Sequence, residues 1–266
     1  MVESFLLFLN DKQKEMTFEN TIHNSLLRHG IHDGLLCLLC SFVLFVSVVS
    51  CNSSNSQVAK ELSRVEQILS VAPDSAFYAL RRINPSALIE ARDAAQYSLL
   101  YSIALEKNNI LVRTDTIIAP AVDYYMKKGT PEQKLMVRYY QARVYENADM
   151  DEEAMSALVD GEKYYRQSKD YDLRAKFILK KAALYGRIYD FRNALENATI
   201  ARDEYSKAND VEGYVTAVLA MSSYYQYLSD YATSRRLLSE VKDRWSKIND
   251  NKKEEYFRQM INYYLL

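Results

Sequence analysis

The sequence predicts an all-α protein, an α-α superhelix of helix pairs with about 40 residues per pair. Aromatic residues near helix ends recur at that spacing, as Tyr125, Tyr165, Tyr205 and Trp245, each inside a similar polar segment. Self-similarity with a period of 20–50 residues marks stacked supersecondary units. Helix breakers are scarce: 6 Gly and 4 Pro in 266 residues, against 22 Tyr. That balance suits long helices whose large amphipathic side chains pack on neighbours. Short connections carry Asp149, Asp170, Asp190, Asp210, Asp230 and Asp250. These are expected to cap helix starts, accepting from free backbone N–H groups and opposing the helix dipole.

The elements follow in order. Val58, Leu62, Val65 and Leu69 have helical spacing and place a first helix at about 57–71. Pro73-Asp74-Ser75 begins a short second helix to about 83, and Pro85-Ser86 begins a third to about 107. In the third, Ala91, Ala94, Ala95 and Ala104 alternate with Leu99 and Ile103, a mixture of sizes that lets helices approach closely. A helix at about 115–128 carries Pro120 in its first turns, so a kink or a later start is expected. Helices are then expected at 131–147, 151–167, 171–189, 191–208, 211–228, 231–247 and 251–266.

Residues 1–50 read as a leader. Leu35 to Val49 is an unbroken apolar or small run of about 15 residues, shorter than the roughly 20 a spanning helix needs and fitted to a signal-peptide core. Lys12, Lys14 and Arg28 are outweighed there by Glu3, Asp11, Glu15, Glu19 and Asp33. A signal peptide wants the opposite balance, so the true start is expected later than Met1, near the beginning of the apolar run. Cys37 and Cys40 lie inside that run without a second pair and read as apolar filler.

Val48-Val49-Ser50-Cys51 resembles the bacterial lipobox. The resemblance implies cleavage before Cys51 and fatty acylation of that residue; the alternative is an uncleaved N-terminal membrane anchor. Residues 51–56 then form a small, polar tether, and 57–266 the helical repeat domain. Asn52, rather than Asp, follows the cysteine, which points to the periplasmic face of the outer membrane.

Composition narrows function. Hydrophobic content is 48% and the net charge −1, an ordinary globular balance that gives nucleic acid no electrostatic footing. His23, His29, His32, Cys37, Cys40 and Cys51 are the whole complement of these types. Beyond residue 51 there is thus no imidazole and no thiol for a metal, a nucleophile or histidine acid–base chemistry. The expectation is no enzyme, no catalytic residue, no metal and no cofactor. The alternative is an envelope or carbohydrate-processing enzyme using paired carboxylates, against which the capping positions of the Asp residues count.

The spacing Ala142, Tyr145, Ala154, then Ala182, Tyr185, Ala194, then Ser222, Tyr225, Ser234 resembles tetratricopeptide repeats. There a small residue and an aromatic in the first helix are followed by a small residue in the second. Leu158 and Gly161, Ala198 and Ala201, and Leu238 and Val241 fill the next packing positions. The chain departs from that family in its longer period and in lacking the tryptophan and Leu-Gly pair. Pro73-Asp74-Ser75-Ala76 and the segments about Ala91-Arg92, Leu99-Leu100-Tyr101, Glu106-Lys107-Asn108 and Ala121-Val122-Asp123-Tyr124-Tyr125 are similar to tetratricopeptide lipoproteins of Bacteroidetes. In many of those the array continues further, and Leu266 falls inside what the register makes the first helix of another repeat, so the expectation is either truncation at the C-terminus or a partner that covers that end.

The resemblance implies a scaffold or sensor ectodomain that binds a protein or peptide on an inner face lined by the first helix of each pair. Its candidate residues are Tyr139, Tyr140, Arg143 and Asn147, then Lys176, Lys180 and Arg187, then Ser223 and Tyr227. Together they would make a mildly basic, aromatic groove for an acidic or carboxylate-ended peptide.

Overall fold

The computed structural model describes residues 57–265, and every regular element in them is helical. The protein is an all-α helical repeat superhelix. Its helices are α1 (57–68), α2 (Pro73–Arg82), α3 (Ala91–Lys107), α4 (Ala119–Lys128), α5 (Pro131–Asn147) and α6 (Asp151–Tyr165). They continue as α7 (Tyr171–Arg187), α8 (Phe191–Ala208), α9 (Val211–Tyr227), α10 (Tyr231–Lys242) and α11 (Asp250–Leu265). The leader, the tether and Cys51 lie outside the described residues.

The odd-numbered helices from α3 begin at residues 91, 131, 171, 211 and 250. Except for α3, whose N-cap makes no side-chain bond, these starts and those of α8 and α10 are capped by side chains. Thr130 and Gln133 form a reciprocal capping box: Gln133 N–H donates to Thr130 Oγ1 at 3.2 Å, and Thr130 N–H to Gln133 Oε1 at 3.0 Å. Asp170, Asp190, Asp210 and Asp230 accept from the N–H groups of Leu173, Asn193, Gly213 and Thr233. Each cap is worth about 1 kcal/mol. Two expected caps are not caps. Asp149 precedes the helix by one further residue and adopts φ 60°, while Asp250 is the first residue of α11. Asn249 Oδ1 accepts from Lys252 N–H in its place.

The turns inside the pairs are the most regular feature. Asn109, Asp149, Tyr189 and Ser229 all have φ between 55° and 63°. In each, the next residue donates back across the helix end: Ile110 to Leu105 O, Met150 to Tyr145 O, Asp190 to Tyr185 O and Asp230 to Tyr225 O, at 2.9–3.0 Å. This is the Schellman termination, which satisfies carbonyls that the helix end leaves open. Tyr145, Tyr185 and Tyr225 therefore occupy equivalent places.

Between the two helices of a pair, small residues meet. Ala142 and Ala154, Ala182 and Ala194, and Ser222 and Ser234 are all fully buried. Gly161 of α6 leaves room for Phe177 of α7: a Cβ there would stand 2.6 Å from the ring. Phe177 is itself fully buried, so this pair links one repeat to the next. Each fully buried side chain of this size contributes about 1.5–3 kcal/mol. A separate cluster of Leu62, Val65, Ala76, Leu80, Leu100 and Ala104 holds α1 and α2 on α3.

Two boundaries differ from expectation, and at a third the later start expected at Pro120 is found. Pro85 begins a single 3-10 turn, Pro85–Ala87, not a long helix, because Leu88 and Glu90 leave helical angles before α3 starts. Pro120 sits in the first turn of α4, where its missing N–H costs nothing, so the helix starts four residues later than residue 115. The helix expected at 231–247 stops at Lys242, and Trp245–Lys247 forms a 3-10 turn. Trp245 there meets the rings of Tyr256 and Phe257 edge-on at 5.3 and 5.4 Å.

Candidate binding surface

Helices α3, α5, α7, α9 and α11 each pack on the next of the series. No equally close contact joins α4, α6, α8 and α10 to one another. The odd-numbered helices are thus the closely spaced, inner layer, and the candidate residues fall on them.

At the step from α3 to α5, Glu106 gathers three of these residues. Its carboxylate accepts from Tyr139 Oη at 3.1 Å, from Tyr140 Oη and from Arg143 Nη1. Tyr139 and Tyr140 are buried, and burial, reinforced by the Glu106 charge, pushes both phenols well above their usual range. Asn147 closes the group by donating from Nδ2 to Val112 O at 3.0 Å. Val112 belongs to the long connection between α3 and α4, which replaces the tight turn of the other pairs. A water-sized cavity lies among Glu106, Val112, Tyr140, Arg143 and Asn147. Four of the expected residues therefore converge.

One period on, Glu146 stands where Glu106 stood, and Lys180 of α7 donates to it. A further period on, the position is Gly186, and the Tyr224 ring fills the space: a Cβ would stand 2.7 Å from it. Tyr224 Oη donates to Ala182 O at 3.2 Å. At the last step the position is Gln226, buried, with Nε2 3.1 Å from Ser234 Oγ. The same position thus carries two carboxylates, a gap and an amide along the inner layer.

These partners change the expected charge of the groove. Arg143 and Lys180 are each matched by a glutamate of the preceding repeat. Arg187 reaches Asp149 and Asp151, each at 3.0 Å. Lys176 is exposed and pairs with Asp172 one turn away. Ser223 is half-buried. Tyr227 lies apart from the glutamate row: it is exposed and stacks on Phe191 of α8 at 4.8 Å.

Sequence reasoning missed a feature beside Tyr227. Ile188, Tyr189 and Leu228 are all more than half exposed, and Tyr189 meets Phe191 edge-on at 6.0 Å. Ile188 and Leu228 are one period apart, the spacing that could have found them.

Most carboxylates here are committed to caps or ion pairs. Among the described residues, no group of three His, Cys, Asp or Glu is placed to hold a metal ion, and no helix is long and apolar enough to cross a membrane. No protein-family model matches the chain, and no curated protein matches it.

Proposed function

We propose that this protein is a lipoprotein tethered through Cys51, whose tetratricopeptide-like array binds a protein or peptide partner along its inner helical layer. One observation supports the reading: the odd-numbered helices form a continuous inner layer with side chains anchored by Glu106 and Glu146, an arrangement of the kind helical arrays use for recognition. The tether rests on Val48-Val49-Ser50-Cys51 and the apolar run before it. The cell envelope, at the periplasmic side of the outer membrane, is the location this reading assigns. It assigns no catalytic residue, no cofactor and no nucleic acid.

Crosslinking in intact cells tests it. The partner is captured by the wild-type chain and lost from K176E/R187E, whose two cations are exposed enough to be reversed with the helical circular dichroism unchanged. Arg143 is a poor choice because it is largely buried against Glu106 and Tyr139, so its replacement would disturb the packing as well as the surface. Undiminished capture by K176E/R187E overturns the surface. Labelled fatty acid enters the wild type and not C51A; label on both overturns the tether.

A further inference from the structure

We propose that a cavity of about 340 Å³ between α1, α3, α4 and α5 binds a free apolar α-amino acid by both of its charged ends. The cavity is separate from the glutamate row and shares none of the nine groove residues. Its size lies at the lower end of the range for small-molecule sites, about 300–1,000 Å³.

The lining divides into a rim and a floor. Leu99, Tyr125 and Met136 make the floor. Leu99 and Tyr125 are buried, and Met136 is half-buried. The rim carries Arg92 and Lys128 as cations and Glu66 as an anion, and all three are exposed. Both cations lack a carboxylate partner among the described residues. That sets them apart from Arg143, Lys180 and Arg187. Lys128 Nζ rests 5.5 Å from the centre of the Tyr124 ring. Glu66 Oε2 accepts from Gln96 Nε2 at 3.0 Å, which steadies the carboxylate and leaves its other oxygen open.

The rim charges reach the floor. Burial pushes the Tyr125 phenol up to about 12, Glu66 adds to the rise and Arg92 opposes it. A simple anion would gain from Arg92 and Lys128 and be repelled by Glu66. A simple cation meets the reverse. A zwitterion satisfies both: its carboxylate takes the two cations, its ammonium takes Glu66, and a short apolar side chain covers Leu99, Tyr125 and Met136. A residue inside a peptide has neither charge, and a peptide end has only one.

Calorimetric titration of the full chain tests the assignment, using leucine, methionine and phenylalanine as probes with leucinamide and N-acetyl-leucine beside them. At least one free amino acid binds saturably. Leucinamide, which lacks the carboxylate, and N-acetyl-leucine, which lacks the ammonium, bind at least about tenfold more weakly than leucine. R92Q and K128Q each weaken leucine by about tenfold, and E66Q abolishes the preference for leucine over N-acetyl-leucine. All three variants keep the wild-type melting temperature, since these side chains are exposed. The proposal is overturned if none of the three amino acids saturates by roughly 10 mM. It is equally overturned if the amide or the N-acetyl compound binds as well as leucine, or if the rim variants bind as the wild type does. Equal binding of N-acetyl-leucine would mean that the cavity reads a carboxylate end alone.

Discussion

Ser222 of α9 and Ser234 of α10 face each other with their hydroxyl oxygens 2.9 Å apart, fully buried, where the two preceding repeats have alanine pairs. Gln226 Nε2 donates to Ser234 Oγ at 3.1 Å, so the pair forms a small polar network in an apolar seam. Removing the Ser234 hydroxyl leaves Ser222 only the longer bond to Ser234 O and Gln226 only that to Gln259 O, each at 3.4 Å, and S234A should cost about 1 kcal/mol in urea unfolding. S222A leaves Ser234 bonded to Gln226 and should cost less. The double variant should be no worse than S234A alone, because the two hydroxyls serve one network. Strictly additive single effects would show that the hydroxyls act independently.

Arg174 and Glu204 supply a second test. Glu204 is 3% exposed, and its Oε1 accepts from Arg174 Nη2 at 3.0 Å and from Lys207 Nζ at 3.1 Å. The Arg174 guanidinium also lies 4.6 Å from the centre of the Tyr165 ring. R174M leaves the buried carboxylate only Lys207, itself more than half exposed, and should lower stability by about 2 kcal/mol. R174M/E204L removes both charges and should recover most of that loss. A double variant less stable than R174M would mean that the Lys207 contact to Glu204 contributes more than the buried charge costs.

How much of this was legible in the sequence follows from what each feature depends on. The helix phase was, because Asp170, Asp190, Asp210 and Asp230 place a short acceptor at each start. The left-handed residues were not, because Asn109, Asp149, Tyr189 and Ser229 share a backbone position without sharing a residue type, and none is Gly. The late start of α3 was hidden by Pro85, which begins a 3-10 turn as readily as a helix. In the groove, the convergence of Tyr139, Tyr140, Arg143 and Asn147 was visible from helical spacing. Their common acceptor was not: Glu106 comes from the preceding repeat, and a pattern within one helix does not reveal the charge facing it. The cavity at Glu66, Arg92 and Lys128 draws on four helices and on a shortened α4, so no single stretch announces it.

The turn at Ser229 offers a gain in stability. Its φ of 62° is costly for a residue with a Cβ and free for glycine, and the side chain is exposed. S229G should raise stability by about 0.5–1 kcal/mol, less whatever glycine adds to the freedom of the unfolded chain. Thermal melts of the wild type and S229G, followed by circular dichroism, decide it. A lower melting temperature would show that Ser229 contributes a contact that outweighs the strain.

The buried phenols make the fold sensitive to alkali. Burial pushes Tyr125 and Tyr224 up to about 12, from the 10.0 of an unfolded chain. Tyr139, Tyr140 and Tyr205 are pushed well up by the same cause. Below pH 10.0 these phenols are neutral in both states and the stability linked to them is complete. Above it, the unfolded chain loses protons that the folded chain keeps, so stability falls as pH rises toward 12. Tyr125, buried at 6% exposure, contributes to that fall. Phenolate absorbance from the buried rings should therefore rise late, in a steep step above pH 10.0 that coincides with loss of the helical signal. A single shallow titration with the helices intact would mean that the buried rings are open to water.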